Sequence, residues 1–297
     1  MAVPAQISPA RRAWYHPLEL LKRLVIYAII SYIFVCVYLY CIQNSLTYPR
    51  EIIPTEKAVQ IAGEYGFVPW EKTTPGAEGP QGYVLRSFTA PAPRGTVFVI
   101  HGNGGSAFER GHYVDAFTRR GFRTFLYEFP GYGGRPGKPS EATIVPDARA
   151  LIRSLDEAGY GPVYVWGESL GAGVAAAVCA DSTLPVHGLV LLTPWDNIAN
   201  VGLSIYPYIP VRLLMIDKYD SVANLQTFSH PICVVRSAED EVIPPPLTSN
   251  LIAHLPEPKK VITHENAGHN SWPNSPELSW WDEALDFIAP KPAAASP

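Results

Sequence analysis

Six short, largely apolar runs, most of them followed by a helix-like stretch, constrain the fold of this chain more than any other feature. They fall at residues 96–100, 123–127, 163–166, 189–192, 232–235 and 260–263. The runs are too continuous for strands with one wet face, which alternate apolar and polar residues. They suit parallel strands covered on both faces. Helices are expected at 113–120, 144–158, 171–180, 246–254 and 277–288, with a further segment at 56–63. Residues 68–73 and 82–88 read as two antiparallel strands around a turn rich in proline and glycine. Strand and helix alternating in this way predict an α/β fold: a doubly wound, mostly parallel sheet with helices on both faces. Between Trp195 and Pro231, roughly 35 residues lack any strand pattern and are dense in aromatic residues and prolines. So long a connection is more than a plain loop and implies a small cap or active-site flank rather than a separate domain.

In an open parallel sheet, ligands bind at the C-terminal ends of the strands. Four of these ends carry chemistry. After Ile100 comes His101-Gly102-Asn103-Gly104-Gly105, whose glycines leave backbone amides bare and able to face an anion. After Trp166 comes Gly167-Glu168-Ser169-Leu170-Gly171, a Gly-x-Ser-x-Gly motif on a predicted strand-to-helix turn. Alone, the motif is weak, and a serine there also reads as a simple helix cap. After Val235 come Glu239, Asp240 and Glu241, and after Thr263 come His264 and His269. A nucleophilic serine needs an imidazole to take its proton, a carboxylate to orient the imidazole, and amides for an oxyanion. All four are present, in the order Ser, acid, His. For the base, His269 competes with His264 and His101. Only His269 lies in a glycine-flanked loop able to reach Ser169, whereas His101 suits a brace for its own turn. For the acid, Asp240, Glu239, Glu241 and Asp196 remain open on position alone.

Residues 24–42 contain no charged side chain, and as a helix they rise roughly 28 Å, close to the thickness of a bilayer's hydrocarbon core. No small-x-small cleavage site follows, so a retained membrane anchor is expected rather than a cleaved signal. Arg11, Arg12, Lys22 and Arg23 precede the span, against Arg50 and Glu51 after it. The positive-inside rule then keeps the N-terminus cytoplasmic and puts the rest of the chain on the non-cytoplasmic side. The expected organisation is a cytoplasmic tail at 1–23, an anchor at 24–42, a catalytic domain at 43–288 and a disordered tail at 289–297. The net charge of −4 is spread without basic blocks, which argues against a nucleic-acid surface. Cys36, Cys41, Cys179 and Cys233 form no metal-binding spacing, and Cys179 and Cys233 read as small buried hydrophobes.

On these residues the chain resembles the α/β hydrolases, and within them the Bem-like branch of α/β-hydrolase domain-containing proteins with one N-terminal membrane anchor. The resemblance covers roughly residues 44–288. It rests on the loop 101–105, Gly131-Tyr132-Gly133, the motif 167–171, the run Ala238 to Pro244 and the run Ala267 to Ser271. Gln43-x-x-Leu46-x-Tyr48-Pro49 after the anchor is similar too. Gly104 stands where the branch often has alanine, and Ser237 where it often has glycine. The resemblance implies a serine hydrolase with Ser169, Asp240 and His269 as catalytic triad and the backbone amides of Asn103 and Leu170 as oxyanion donors. It implies a small-molecule ester or acyl substrate, with lipid-derived esters a natural class beside a membrane. No metal or organic cofactor is implied. A peptidase on the same triad and a non-catalytic binding protein on the same fold are the rival readings.

Overall fold

The computed structural model describes residues 17–71, 76, 78–88 and 93–291. The expected tail at 1–23 therefore lies mostly outside the described residues, as does all of 289–297 beyond Lys291. Two compact units separate between Gln43 and Asn44.

In the first unit, helix α1 (Pro17–Thr47) begins before the uncharged run and continues past it, crossing the boundary into the second unit. Among the described residues it is the one helix long and apolar enough to cross a membrane, judged by length and composition.

The second unit is built on an eight-stranded sheet. Its strands are β1 (Phe67–Pro69), β2 (Gly82–Leu85), β3 (Thr96–Ile100), β4 (Arg123–Tyr127), β5 (Val163–Glu168), β6 (Val186–Leu192), β7 (Ile232–Ser237) and β8 (Lys259–His264). They lie in the order β1-β2-β4-β3-β5-β6-β7-β8. The β1–β2 and β2–β4 pairs are antiparallel, and all the others are parallel. This is the doubly wound α/β sheet that the apolar runs predict. Residues 72–73 of the first expected strand fall outside the described residues.

Side chains alternate between two cores, as the period of a strand requires. On β3, Phe98 and Ile100 enter one core while Val97 and Val99 enter the other. The first core is covered by α4 (Glu141–Glu157), α5 (Leu170–Cys179), α8 (Ser221–Leu225) and α9 (Pro245–His254). The second is covered by α2 (Thr55–Glu64), α3 (Gly111–Thr118) and α10 (Trp280–Ile288). There Trp166 packs on Trp281 at 5.3 Å and on Phe117 at 5.1 Å between ring centres. The expected cap holds α6 (Ile198–Ile205) and α7 (Val211–Leu214), followed by α8.

Helix α4 starts one turn earlier than its apolar pattern suggests. The Ser140 side chain accepts the Thr143 N–H at 3.2 Å, and the Ser140 N–H donates to Thr143 Oγ1 at 3.0 Å. A threonine thus fills the place usually held by Glu or Gln in a reciprocal cap, and Pro146 falls inside the helix. At the other end of the unit, Ala289 is buried and its carbonyl accepts from Arg94, so the packed structure extends past residue 288.

Cys179 and Cys233 are free and buried. Burial raises both thiols, Cys233 to about 12, which leaves almost no thiolate near neutral pH. Both are expected to resist maleimide at pH 8 in the folded protein and to react in guanidinium. Peptide mass spectrometry after each step reads this, and rapid labelling of either in the native state would contradict the packing described.

Candidate active site

Strand β5 ends at Glu168 and α5 begins at Leu170, so Ser169 alone makes the turn. Its backbone sits at φ 52°, ψ −114°, a region that side chains rarely occupy. The turn is this tight because helix and sheet come very close. A Cβ on Gly171 would overlap the carbonyl oxygen of Ile100 and lie 2.5 Å from that of His101. A Cβ on Gly167 would lie 2.7 Å from the Ala172 Cα. The two glycines of the motif therefore let α5 rest on the ends of β3 and β5, and the serine is pushed outward between them.

His269 arrives from the loop after β8. The Ala238 N–H donates to the His264 carbonyl at 3.0 Å, and the Glu239 N–H to the Ala267 carbonyl at 3.0 Å. These bonds staple the loops after β7 and β8 to each other. Asp240 Oδ1 accepts from the N–H groups of Val242 at 3.0 Å and Ile243 at 2.7 Å, which aims the carboxylate back over its own turn. His269 Nδ1 lies 2.9 Å from Asp240 Oδ2, and His269 Nε2 lies 2.8 Å from Ser169 Oγ. An ionised carboxylate only accepts, so the proton belongs on Nδ1, leaving Nε2 to accept from the serine hydroxyl. Asp240 and His269 are both buried, whereas Ser169 is partly open. The three residues that the resemblance joins thus meet within hydrogen-bond reach.

The other candidates are engaged elsewhere. Asp196 Oδ2 accepts from Asn250 Nδ2 at 2.7 Å and Asn200 Nδ2 at 3.0 Å. Glu239 is exposed. Glu241 accepts the main-chain N–H of His269 at 2.9 Å, a bond that also holds its carboxyl below the usual range. It positions the histidine's backbone rather than its ring. The His264 ring lies 5.1 Å from Trp280, and burial lowers its imidazole.

The loop 101–105 lies against the elbow: a Cβ on Gly102 would stand 3.6 Å from the Ser169 Cβ. The Asn103 carbonyl accepts from the Tyr132 hydroxyl at 3.0 Å. Leu170 is the first residue of α5, where an N–H has no partner within the helix. Arg110, Tyr113 and Glu128, not singled out from the sequence, brace this region together with Glu168 and His101. Arg110 Nε lies 3.3 Å from Glu168 Oε2, and its Nη2 donates to the Gly104 carbonyl at 2.7 Å, joining the elbow to the loop. Glu168 also accepts from the Tyr113 hydroxyl at 2.8 Å. His101 Nδ1 lies 2.7 Å from the Gly102 carbonyl, and its Nε2 lies 3.2 Å from Glu128 Oε1, off the line of a good hydrogen bond. Both side chains of that pair are buried. Glu128 directly follows β4, a strand-end position that marks it in retrospect.

With this geometry in view, comparison with known proteins places the chain. A family model described as serine aminopeptidase, S33, matches residues 91–216. An uncharacterised protein of Mycobacterium tuberculosis is 34% identical over 195 residues, covering 65% of this chain and 67% of that one. Protein bem46 of Schizosaccharomyces pombe is 26% identical over 225 residues, covering 70% of this chain and 73% of that one. The lysophosphatidylserine lipase ABHD12 of Danio rerio is 26% identical over 199 residues, covering 61% of this chain but only 52% of that one. Among solved structures, the Pyrococcus furiosus esterase Pf2001 shares the fold with a TM-score of 0.59 at 15% identity, covering 82% of this chain and 98% of that one. The chain belongs to the α/β hydrolases, and bem46 and ABHD12 are among its relatives.

Proposed function

We propose that the protein is a membrane-anchored serine hydrolase that cleaves carboxylic esters or thioesters through an acyl-enzyme. The observation that best supports this is the pair of contacts on one imidazole, 2.8 Å to Ser169 Oγ and 2.9 Å to Asp240 Oδ2, at a strained strand-to-helix elbow. Ser169 Oγ attacks the substrate carbonyl while His269 Nε2 takes its proton, and a C–O bond forms to the serine. The N–H groups of Asn103 and Leu170 receive the oxyanion, each such donor contributing about 3 kcal/mol. The C–O or C–S bond of the leaving group then breaks, and His269 returns the proton to the departing oxygen or sulfur. Water, deprotonated by the same imidazole, releases the acid and restores the serine. Asp240 keeps the proton on Nδ1 and stabilises the imidazolium.

Helix α1 would hold this chemistry beside a bilayer, and a relative carries the name of a lysophospholipid lipase. Both favour lipid-derived esters. The family description as a serine aminopeptidase favours amide cleavage instead. Comparing p-nitrophenyl esters with aminoacyl anilides separates the two: the expected result is ester turnover without measurable anilide cleavage. Lys22 and Arg23 on the N-terminal side favour a cytoplasmic N-terminus, as do Arg11 and Arg12, which lie outside the described residues. A C-terminal alkaline phosphatase fusion should be active and a green fluorescent one dark, and the reverse pattern inverts the topology.

Asp240→Asn tests the acid. The amide would no longer impose the tautomer, so kcat is expected to fall about 10⁴-fold while the fold persists. The same loss in Asp196→Asn, with Asp240→Asn near wild type, would move the role to Asp196.

A further inference from the structure

From Ile198 to Val211 the cap carries no charged residue. Its short helices divide their side chains sharply. Val211 is buried, whereas Leu213, two positions on, is 81% exposed, and Ile205 at the end of α6 is 59% exposed. Water-facing aliphatic side chains at this exposure gain nothing from the fold. With Tyr206, Tyr208 and Ile216, also exposed, they form a run of large apolar side chains facing outward between 205 and 216, of the kind that marks a contact surface.

The place of this surface in the fold points to what it contacts. Tyr48, one residue past the end of α1, is buried and donates its hydroxyl to Asp217 Oδ2 at 2.7 Å. It also lies 3.0 Å from the Tyr219 hydroxyl. Asp217 in turn accepts the Glu141 N–H at 3.0 Å through Oδ1, so the 217–219 segment is fixed to the body of the domain. Tyr48 lies six residues beyond Ile42, the last residue of the uncharged run. At helical rise that is about 9 Å of chain. Leu213 lies four residues before Asp217, at most about 14 Å of extended chain. Within the second unit, the exposed surface is thus tethered through Asp217 to Tyr48, the residue at which the chain arrives from the uncharged run. Ile52, 82% exposed, lies on the same stretch of chain as Tyr48. Two cations edge the patch. Arg212 donates to Asn200 Oδ1 at 2.8 Å and Lys218 Nζ to the Met215 carbonyl at 2.6 Å, both neutral acceptors. Of the nearby carboxylates, Asp217 and Glu141 accept from main-chain N–H groups and the Tyr48 hydroxyl. Asp196 and Asp220, which line one cavity with Arg212 and Lys218, accept from asparagine side chains and main-chain N–H groups.

We propose that the cap segment around Ile205 and Leu213 lies in the headgroup boundary of the bilayer that holds α1, as a second, monotopic contact with the membrane. An apolar face edged by lysine and arginine is the composition such contacts use, with burial of roughly 5–10 Å. The cap follows β6, the parallel neighbour of the strand β5 that leads into Ser169. This inference rests on the anchor reading above, and its test separates the two.

The full-length chain is reconstituted in phosphatidylcholine vesicles, and nitroxide labels are read for collision with oxygen against a water-soluble nickel chelate. A label on native Cys36 reports on the anchor, in protein with Cys41→Ser. A label introduced by Leu213→Cys, with Cys36→Ser and Cys41→Ser, reports on the cap. An oxygen-dominated signal at position 213 is expected. A nickel-dominated signal there overturns the inference, whatever Cys36 reports, and Cys36 in water overturns the anchor reading separately. As a second measurement, the double variant Ile205→Glu, Leu213→Glu should lose at least about tenfold in hydrolysis of a long-chain ester in the same vesicles. Its rate on p-nitrophenyl acetate should stay within about twofold. A vesicle rate that is unchanged, or that falls only in step with the soluble rate, also overturns it.

Discussion

Ser169→Ala, assayed beside wild type in one detergent, should hydrolyse p-nitrophenyl butyrate at least about 10⁴-fold more slowly and take up no fluorophosphonate label. The size follows from what the substitution removes. Without Oγ there is no atom 2.8 Å from His269 Nε2 to attack a carbonyl, and only the oxyanion amides and binding remain to help water. Four decades correspond to about 5.5 kcal/mol of transition-state stabilisation. The variant should nonetheless fold, because alanine keeps the Cβ that the elbow already accommodates. Its melting temperature is the control. Near-wild-type turnover in a folded Ser169→Ala protein would mean that the nucleophile is elsewhere.

Gly171→Ala should strike the fold rather than the chemistry. The added methyl would run into the carbonyl of Ile100 and stand 2.7 Å from its carbonyl carbon. Those are backbone atoms at the end of the central strand β3, so no side-chain rotation relieves the clash. Overpacking of this kind costs about 3 kcal/mol or more, and for a domain of this size each kcal/mol lowers the melting temperature by about 2–4 °C. A fall of roughly 10 °C is therefore expected. What activity survives below the transition should also drop, since α5 can only escape by carrying Ser169 away from the loop at 101–105. Gly63→Ala is the comparison. In helix α2 its Cβ would meet only the Arg86 guanidinium at 3.9 Å, and stability should hold or rise by up to about 1 kcal/mol. Equal effects of the two substitutions would remove the close-approach argument.

Much of this arrangement was legible before any coordinate. Continuous apolar runs such as 96–100 identify doubly covered strands because each residue must suit one of two cores, and that demand is local. Residue types at the strand ends, in the order Ser169, Asp240, His269, were equally plain. The choice among carboxylates was not plain from position alone, and only the family resemblance pointed to Asp240. Asp196, Glu239, Asp240 and Glu241 all follow strands, and what separates them is which amides they accept from, a matter of loop geometry. The bracing residues were hidden for a related reason. Glu128 and Tyr132, which follow β4, meet the loop at 101–105 only through the sheet order that sets β4 beside β3. Arg110 reaches the Gly104 carbonyl from six residues on, by a local fold of the chain that no motif announces. The start of α4 was missed on a smaller scale, because Thr143 completes a cap usually closed by a carboxylate or amide.

The backbone of Ser169 carries one last implication. A φ of 52° with ψ of −114° disfavours any residue with a side chain, by an amount of order 1–3 kcal/mol. A chain selected only for robustness would put glycine there and relax. By this reading every resting molecule is kept slightly less durable than its fold allows, so that its nucleophile is already turned outward before a substrate arrives.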